Sequence, residues 1–228
     1  MKNIIELLSD PLQGLNENNS TAKEVNEKFY KIAEELFNNY CIKCGDEEFY
    51  LAEVEFYYFE SRKWNKNWND VTYPRNGYKA GDLFYHLSGV DICFDSQYND
   101  DYGKYGGILI RSIRTKDGVI ISGPLTCKDK ILNACNESKM LPYLCVKESD
   151  NHISRIASTY RTLGKIQTAE EKESDYKLCF YDNSIPKNKW KTSMVKGFYK
   201  KEGKSEIAAD FPSFFIRGHY LMQEGIIL

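Results

Sequence analysis

Three observations predict an α+β fold, a single domain built on a curved, mainly antiparallel β-sheet with peripheral helices. Short apolar runs separated by glycines fill the middle of the chain. Aromatic residues make up 14% of the 228 positions, with 17 Tyr and 12 Phe, which suits a sheet-rich core. One amphipathic helix with its own cap signal precedes those runs, so helices and strands are segregated along the chain rather than alternating. At this length a single core can bury a sizeable area.

The elements follow in order. Residues 1–20 read as a loose N-terminal arm, because positions 10–20 are polar and Asn-rich. Thr21 and Glu24 form a capping-box pair, and Val25, Phe29, Ile32, Ala33 and Leu36 give the following helix an apolar stripe. Phe49 to Phe59 is the first long strand, and residues 61–76 a polar loop beside it. Leu83–Leu87, Val90–Phe94, Gly107–Ile113 and Val119–Ser122 are short strands between glycine turns. A helix is expected over Asp129–Asn136, and late strands over Tyr176–Tyr181 and Phe211–Ile216. There is no internal repeat, coiled-coil heptad, P-loop or G-x-G-x-x-G motif.

Charge and cysteine usage narrow the function classes. A formal net charge of -2 argues against a strongly non-specific nucleic-acid binder. Seven lysines between Lys187 and Lys204, interleaved with Trp190, Phe198 and Tyr199, read either as a phosphate-tracking stretch or as a solvated edge. With no secretion signal and no segment of about 20 apolar residues, the chain is expected in the cytoplasm, off the membrane, with its seven cysteines reduced. Cys41 and Cys44 have the spacing of half a zinc site, but no second pair completes it, so no metal or cofactor is expected.

The chemistry concentrates in Leu51-Ala52-Glu53-Val54-Glu55-Phe56-Tyr57. On a strand, Ala52, Val54, Phe56 and Tyr58 share one face, and Glu53, Glu55 and Tyr57 the other. A carboxylate two residues from an aromatic ring can activate water while the ring holds a flat substrate. The plainer alternative is a sheet with one wetted face. Arg111 stands in an apolar strand, where a buried arginine requires a carboxylate, and Glu55 is the candidate partner.

Read in order, several short motifs resemble the alkyladenine (methylpurine) DNA glycosylase family. They are Glu53-Val54-Glu55-Phe56-Tyr57, Thr72-Tyr73-Pro74-Arg75-Asn76, Gly81-Asp82-Leu83-Phe84-Tyr85-His86, Ser88-Gly89-Val90-Asp91-Ile92-Cys93, Gly106-Gly107-Ile108-Leu109-Ile110-Arg111-Ser112, Gly123-Pro124-Leu125 and Arg161-Thr162-Leu163-Gly164. They extend over roughly Thr21 to Lys191, leaving 193–228 as an extension. The resemblance implies hydrolysis of the glycosidic bond of a modified purine nucleotide flipped from DNA, by a monomer needing no cofactor. It casts Glu55 as the general base and Arg111 as the residue that helps hold water and nucleotide. Tyr57 and His86 would stack on the base, and Asp95 would face its edge. Arg75, Lys189 and Lys191 are assigned to the nucleic-acid backbone.

The departures point elsewhere. Trp64-Asn65-Lys66-Asn67 lacks the family's nucleotide-binding histidine, and the duplex-plugging wedge falls on Ser88, too small to fill a base stack. Asp95 replaces an asparagine, leaving an acceptor-only edge when ionised. These features imply single-stranded or frayed DNA, or a free nucleotide, as partner. They equally fit a non-catalytic module that keeps the fold to bind a nucleobase, nucleotide or partner protein.

Overall fold

Residues 3–15, 21–60, 72–99, 103–148, 155–159 and 178–186 are described in the computed structural model. The first of these corrects the loose arm. Ile4–Ser9 forms a helix, α1, whose Asn3 cap accepts a hydrogen bond from the Ile5 N–H at 3.2 Å. Ile4, Leu8 and Leu12 recur every four residues and are fully buried, so the segment contributes a stripe that the polar residues after it obscure.

The capping box forms as its sequence predicts. The Thr21 hydroxyl accepts from the Glu24 N–H, the Glu24 carboxylate accepts from the Thr21 N–H at 2.7 Å, and helix α2 runs over Ala22–Asn39. Val25, Phe29, Ile32, Ala33 and Leu36 are all 0–1% exposed. Phe29 meets Phe56 at 5.2 Å and Tyr58 at 6.0 Å between ring centroids, edge to face in both cases. That geometry adds about 0.5–1.5 kcal/mol per pair beyond the area buried.

The strands are β1 (Tyr40–Cys44), β2 (Glu47–Glu60), β3 (Leu83–His86), β4 (Gly89–Cys93), β5 (Gln97–Tyr98), β6 (Gly103–Thr115), β7 (Ile120–Ser122), β8 (Tyr143–Val146), β9 (Ile156–Thr159) and β10 (Cys179–Asp182). Helix α3 spans Pro124–Ser138 between β7 and β8. The sheet order is β3-β4-β6-β2-β1-β8, with β10 joining β2 to β9, and every pairing is antiparallel. The result is one domain with a curled antiparallel sheet, a half-barrel, and a few helices. Among the described residues no helix is long and apolar enough to cross a membrane.

Two differences from the sequence reading have clear causes. Strand β1 leaves α2 without a linker, so Cys41 and Cys44 are three apart on a strand and lie on opposite faces. Pro124 fits the first turn of α3, where its missing N–H costs nothing, so that helix starts five residues before the predicted Asp129. The predicted strand at Phe211–Ile216 and the lysine-rich segment 187–204 lie outside the described residues, as do residues 61–71 of the loop.

A register shift between Leu51 and Val54 changes which residues of β2 share a face. Phe49 and Leu51 lie in the core with Val54, Phe56 and Tyr58, whereas Ala52 packs with Tyr181 and Ile185 in a separate cluster. Ala52 therefore does not belong to the apolar face assigned to it from simple alternation. The opposite face is not wetted either, since Glu53 and Glu55 are 0% and 1% exposed.

Candidate active site

Cross-strand register builds the site. Phe84, Asp91, Leu109, Glu55 and Cys179 stand opposite one another in turn across β3, β4, β6, β2 and β10, and Cys93, Gly107 and Tyr57 form an adjacent row. Directly paired residues share a face, so the chemistry-bearing side chains are gathered by strand pairing rather than by a loop. Two glycines make room. A Cβ on Gly106 would lie 2.1 Å from the Tyr57 carbonyl oxygen, and one on Gly107 would lie 3.0 Å from the Arg75 guanidinium.

Glu55 and Arg111 meet as the sequence anticipates. Arg111 Nη1 donates to Glu55 Oε2 at 3.1 Å, and the Tyr57 hydroxyl donates to the same oxygen at 2.8 Å. Both donors converge on Oε2, and among the described residues none donates to Oε1. Glu53 sits on the other side of the guanidinium, its Oε1 3.8 Å from Arg111 Nε. The Ser112 hydroxyl donates to Glu53 Oε2 at 2.9 Å, and the Cys179 thiol reaches Glu53 Oε1 at 3.9 Å. Burial works against the Arg111 charge, but the Glu55 and then the Glu53 carboxylates more than restore it, so its pKa lies above the usual arginine value. One guanidinium thus serves two carboxylates, and Glu55 is held by two donors on a rigid strand.

A second buried network lies beside the first. Arg75 Nη2 donates to Asp91 Oδ2 at 2.5 Å, and His86 Nε2 lies 3.1 Å from Asp91 Oδ1. Arg75 Nη1 also donates to the Thr72 hydroxyl and the Tyr73 carbonyl, and the guanidinium lies 5.1 Å from the Tyr73 ring centroid and 5.6 Å from that of Phe84. Burial alone would raise the Asp91 pKa, but the Arg75 charge and His86 override it and hold the carboxyl well below its usual range.

The structure places the remaining candidates differently from their assigned roles. Arg75, expected on the nucleic-acid backbone, is 2% exposed and committed to Asp91, because an arginine over a glycine and between two rings is drawn inward. His86, expected to stack on a base, instead stacks on Phe84 at 5.7 Å, and its Nδ1 accepts from the Ser88 N–H at 3.3 Å. Asp95, expected at the edge of the base, accepts from the Ala80 N–H at 2.7 Å and so holds a turn. Lys189 and Lys191 lie outside the described residues.

Two residues were missed. Asp91 joins Arg75 to His86, and its signal was a lone carboxylate in the apolar run Val90-Asp91-Ile92-Cys93. Leu87 lies beside Ser88 in the turn between β3 and β4 and is 59% exposed. Lys128 of α3 braces that turn, donating to the His86 carbonyl at 3.0 Å. Among the described residues no cluster of three or more His, Cys, Asp or Glu could hold a metal ion. No protein-family model, curated protein or solved structure matches the chain.

Proposed function

We propose that the protein is a monofunctional DNA N-glycosylase of the repair type, with a methylpurine-glycosylase-like fold, that hydrolyses the glycosidic bond of a modified purine nucleotide. The observation that carries this reading is the asymmetry at Glu55, where both donors engage Oε2 and, among the described residues, none engages Oε1. In the reaction Oε1 takes a proton from water as the water oxygen bonds to the anomeric carbon. The carbon–nitrogen bond breaks, and the base leaves with the bonding electrons. Arg111 and Tyr57 fix the carboxylate in place through its other oxygen, Oε2. The developing positive charge on the sugar lies against a carboxylate, as a charge-separated transition state requires.

Leu87 supports the same reading where Ser88 does not. It is a large apolar side chain exposed in a hairpin turn, and such residues can enter a base step. Substitution tests the base: Glu55→Gln keeps the shape and loses the basicity. Abasic sites counted in alkylated DNA should fall roughly 10²- to 10⁴-fold in the variant. Equal rates in the two proteins would remove Glu55 from the mechanism.

The alternative, a non-catalytic module that binds a nucleobase, nucleotide or partner protein, is favoured by one observation. Arg75 and His86 are both engaged by Asp91 in a buried network, a structural role that holds the pocket wall without taking part in base release. Ligand binding without base release, unchanged in Glu55→Gln, would support it.

A further inference from the structure

Four of the seven cysteines are arranged as two thiol pairs that share β1. Cys41 stands directly opposite Cys145 in the β1–β8 register, with the two sulfurs 3.5 Å apart. Cys44, on the other face of β1, lies 3.2 Å sulfur to sulfur from Cys135 of α3. Directly opposed residues of an antiparallel pair have Cα atoms about 4.5–5.5 Å apart. That falls inside the ~4.4–6.8 Å a disulfide spans, so the backbone of the first pair need not move to close it. In each pair one sulfur is fully buried (Cys41, Cys44) and its partner half-buried (Cys145, Cys135). An oxidant can therefore reach one thiol of each pair while the other waits in contact.

We infer that Cys41–Cys145 and Cys44–Cys135 are oxidative modification sites, each closing to a disulfide under a peroxide-class oxidant. The half-buried sulfur attacks the peroxide, the O–O bond breaks, and a sulfenic acid forms with release of water. The buried sulfur then displaces hydroxyl from that sulfenic acid, giving the S–S bond and a second water. Each pair loses two hydrogens and two electrons to one peroxide. Burial raises the Cys135 thiol to about 12 and raises Cys41 and Cys145 as well. Attack of Cys135 or Cys145 on the peroxide is therefore slow, because the thiolate is the reacting form. Closure ties the edge strand β8 and the end of α3 to the same strand from opposite faces. This inference stands independently of the glycosylase reading.

The test uses the full chain, reduced and then treated with hydrogen peroxide, denatured, and alkylated with N-ethylmaleimide. Intact mass should show three of the seven cysteines still alkylated, and peptide mapping should recover the Cys41–Cys145 and Cys44–Cys135 links. Cys145→Ser should lose only the first link and Cys135→Ser only the second, while Cys93, Cys127 and Cys179 remain free in every sample. The melting temperature should rise on oxidation of the unsubstituted chain. Seven alkylated thiols, sulfinic acid without cross-links, or links to other partners would overturn the inference.

Discussion

At the scale of single residues, the site is a set of buried charges that are stable only as partners. Asp91 is the clearest case, since it neutralises Arg75 and accepts from His86 with almost no contact with water. Removing one member of a buried ion pair costs about 3–5 kcal/mol, because the survivor is left uncompensated. Asp91→Asn should therefore lower unfolding free energy by about that amount near neutral pH, measured in a urea titration. The pH dependence fixes the cause. The Asp91 pKa is lower in the folded protein than in the unfolded chain, so the unfolded chain binds more protons once pH falls below about 4. The unsubstituted protein should lose stability as pH drops through that window, and the Asn variant should lack that part of the loss. Identical slopes in both would mean that Asp91 is not held as an anion. This carboxylate was hard to find in sequence, because a lone acid between apolar neighbours looks the same whether it faces water or an arginine.

The elements explain why some of the site could be read in advance and some could not. Helix α2 was readable because its cap and its stripe are local signals that agree. The catalytic candidates on β2 and β6 were readable because Glu55, Tyr57 and Arg111 follow alternation within continuous strands. The bulge at Leu51–Val54 was not, because it is set by pairing with β6 and moves Ala52 off the core face without changing composition. Strand β1 was hidden by its direct exit from α2, and α1 by the polar stretch that follows it. The β3–β4 hairpin gives the sharpest consequence. Ser88 was read as an absent wedge, but the turn exposes its neighbour Leu87 and is braced by Lys128. If this turn meets the duplex, Leu87→Ala should weaken base release from matched duplex by roughly tenfold, equivalent to about 1.4 kcal/mol. Release from single strands should stay unchanged. An equal loss on both substrates would assign Leu87 to folding, and no loss on either would leave the wedge to another residue.

At the scale of the molecule, a curled antiparallel sheet gathers the chemistry of several strands along one set of rows, with the apolar face turned into a common core with the helices. Nothing in that architecture alone assigns a reaction, since one fold hosts many functions. The proposed assignment rests on a carboxylate held through one oxygen by two donors, with no donor on the other among the described residues. The most direct measurement compares affinity for two otherwise identical DNA strands. One carries a cationic pyrrolidine in place of the sugar under attack, and the other a neutral tetrahydrofuran. If Glu55 stabilises a cationic transition state, the unsubstituted protein should bind the cationic strand at least about 10²-fold more tightly, and Glu55→Gln should abolish that preference. Equal affinity for the two strands, or a preference that survives in Glu55→Gln, would contradict the account.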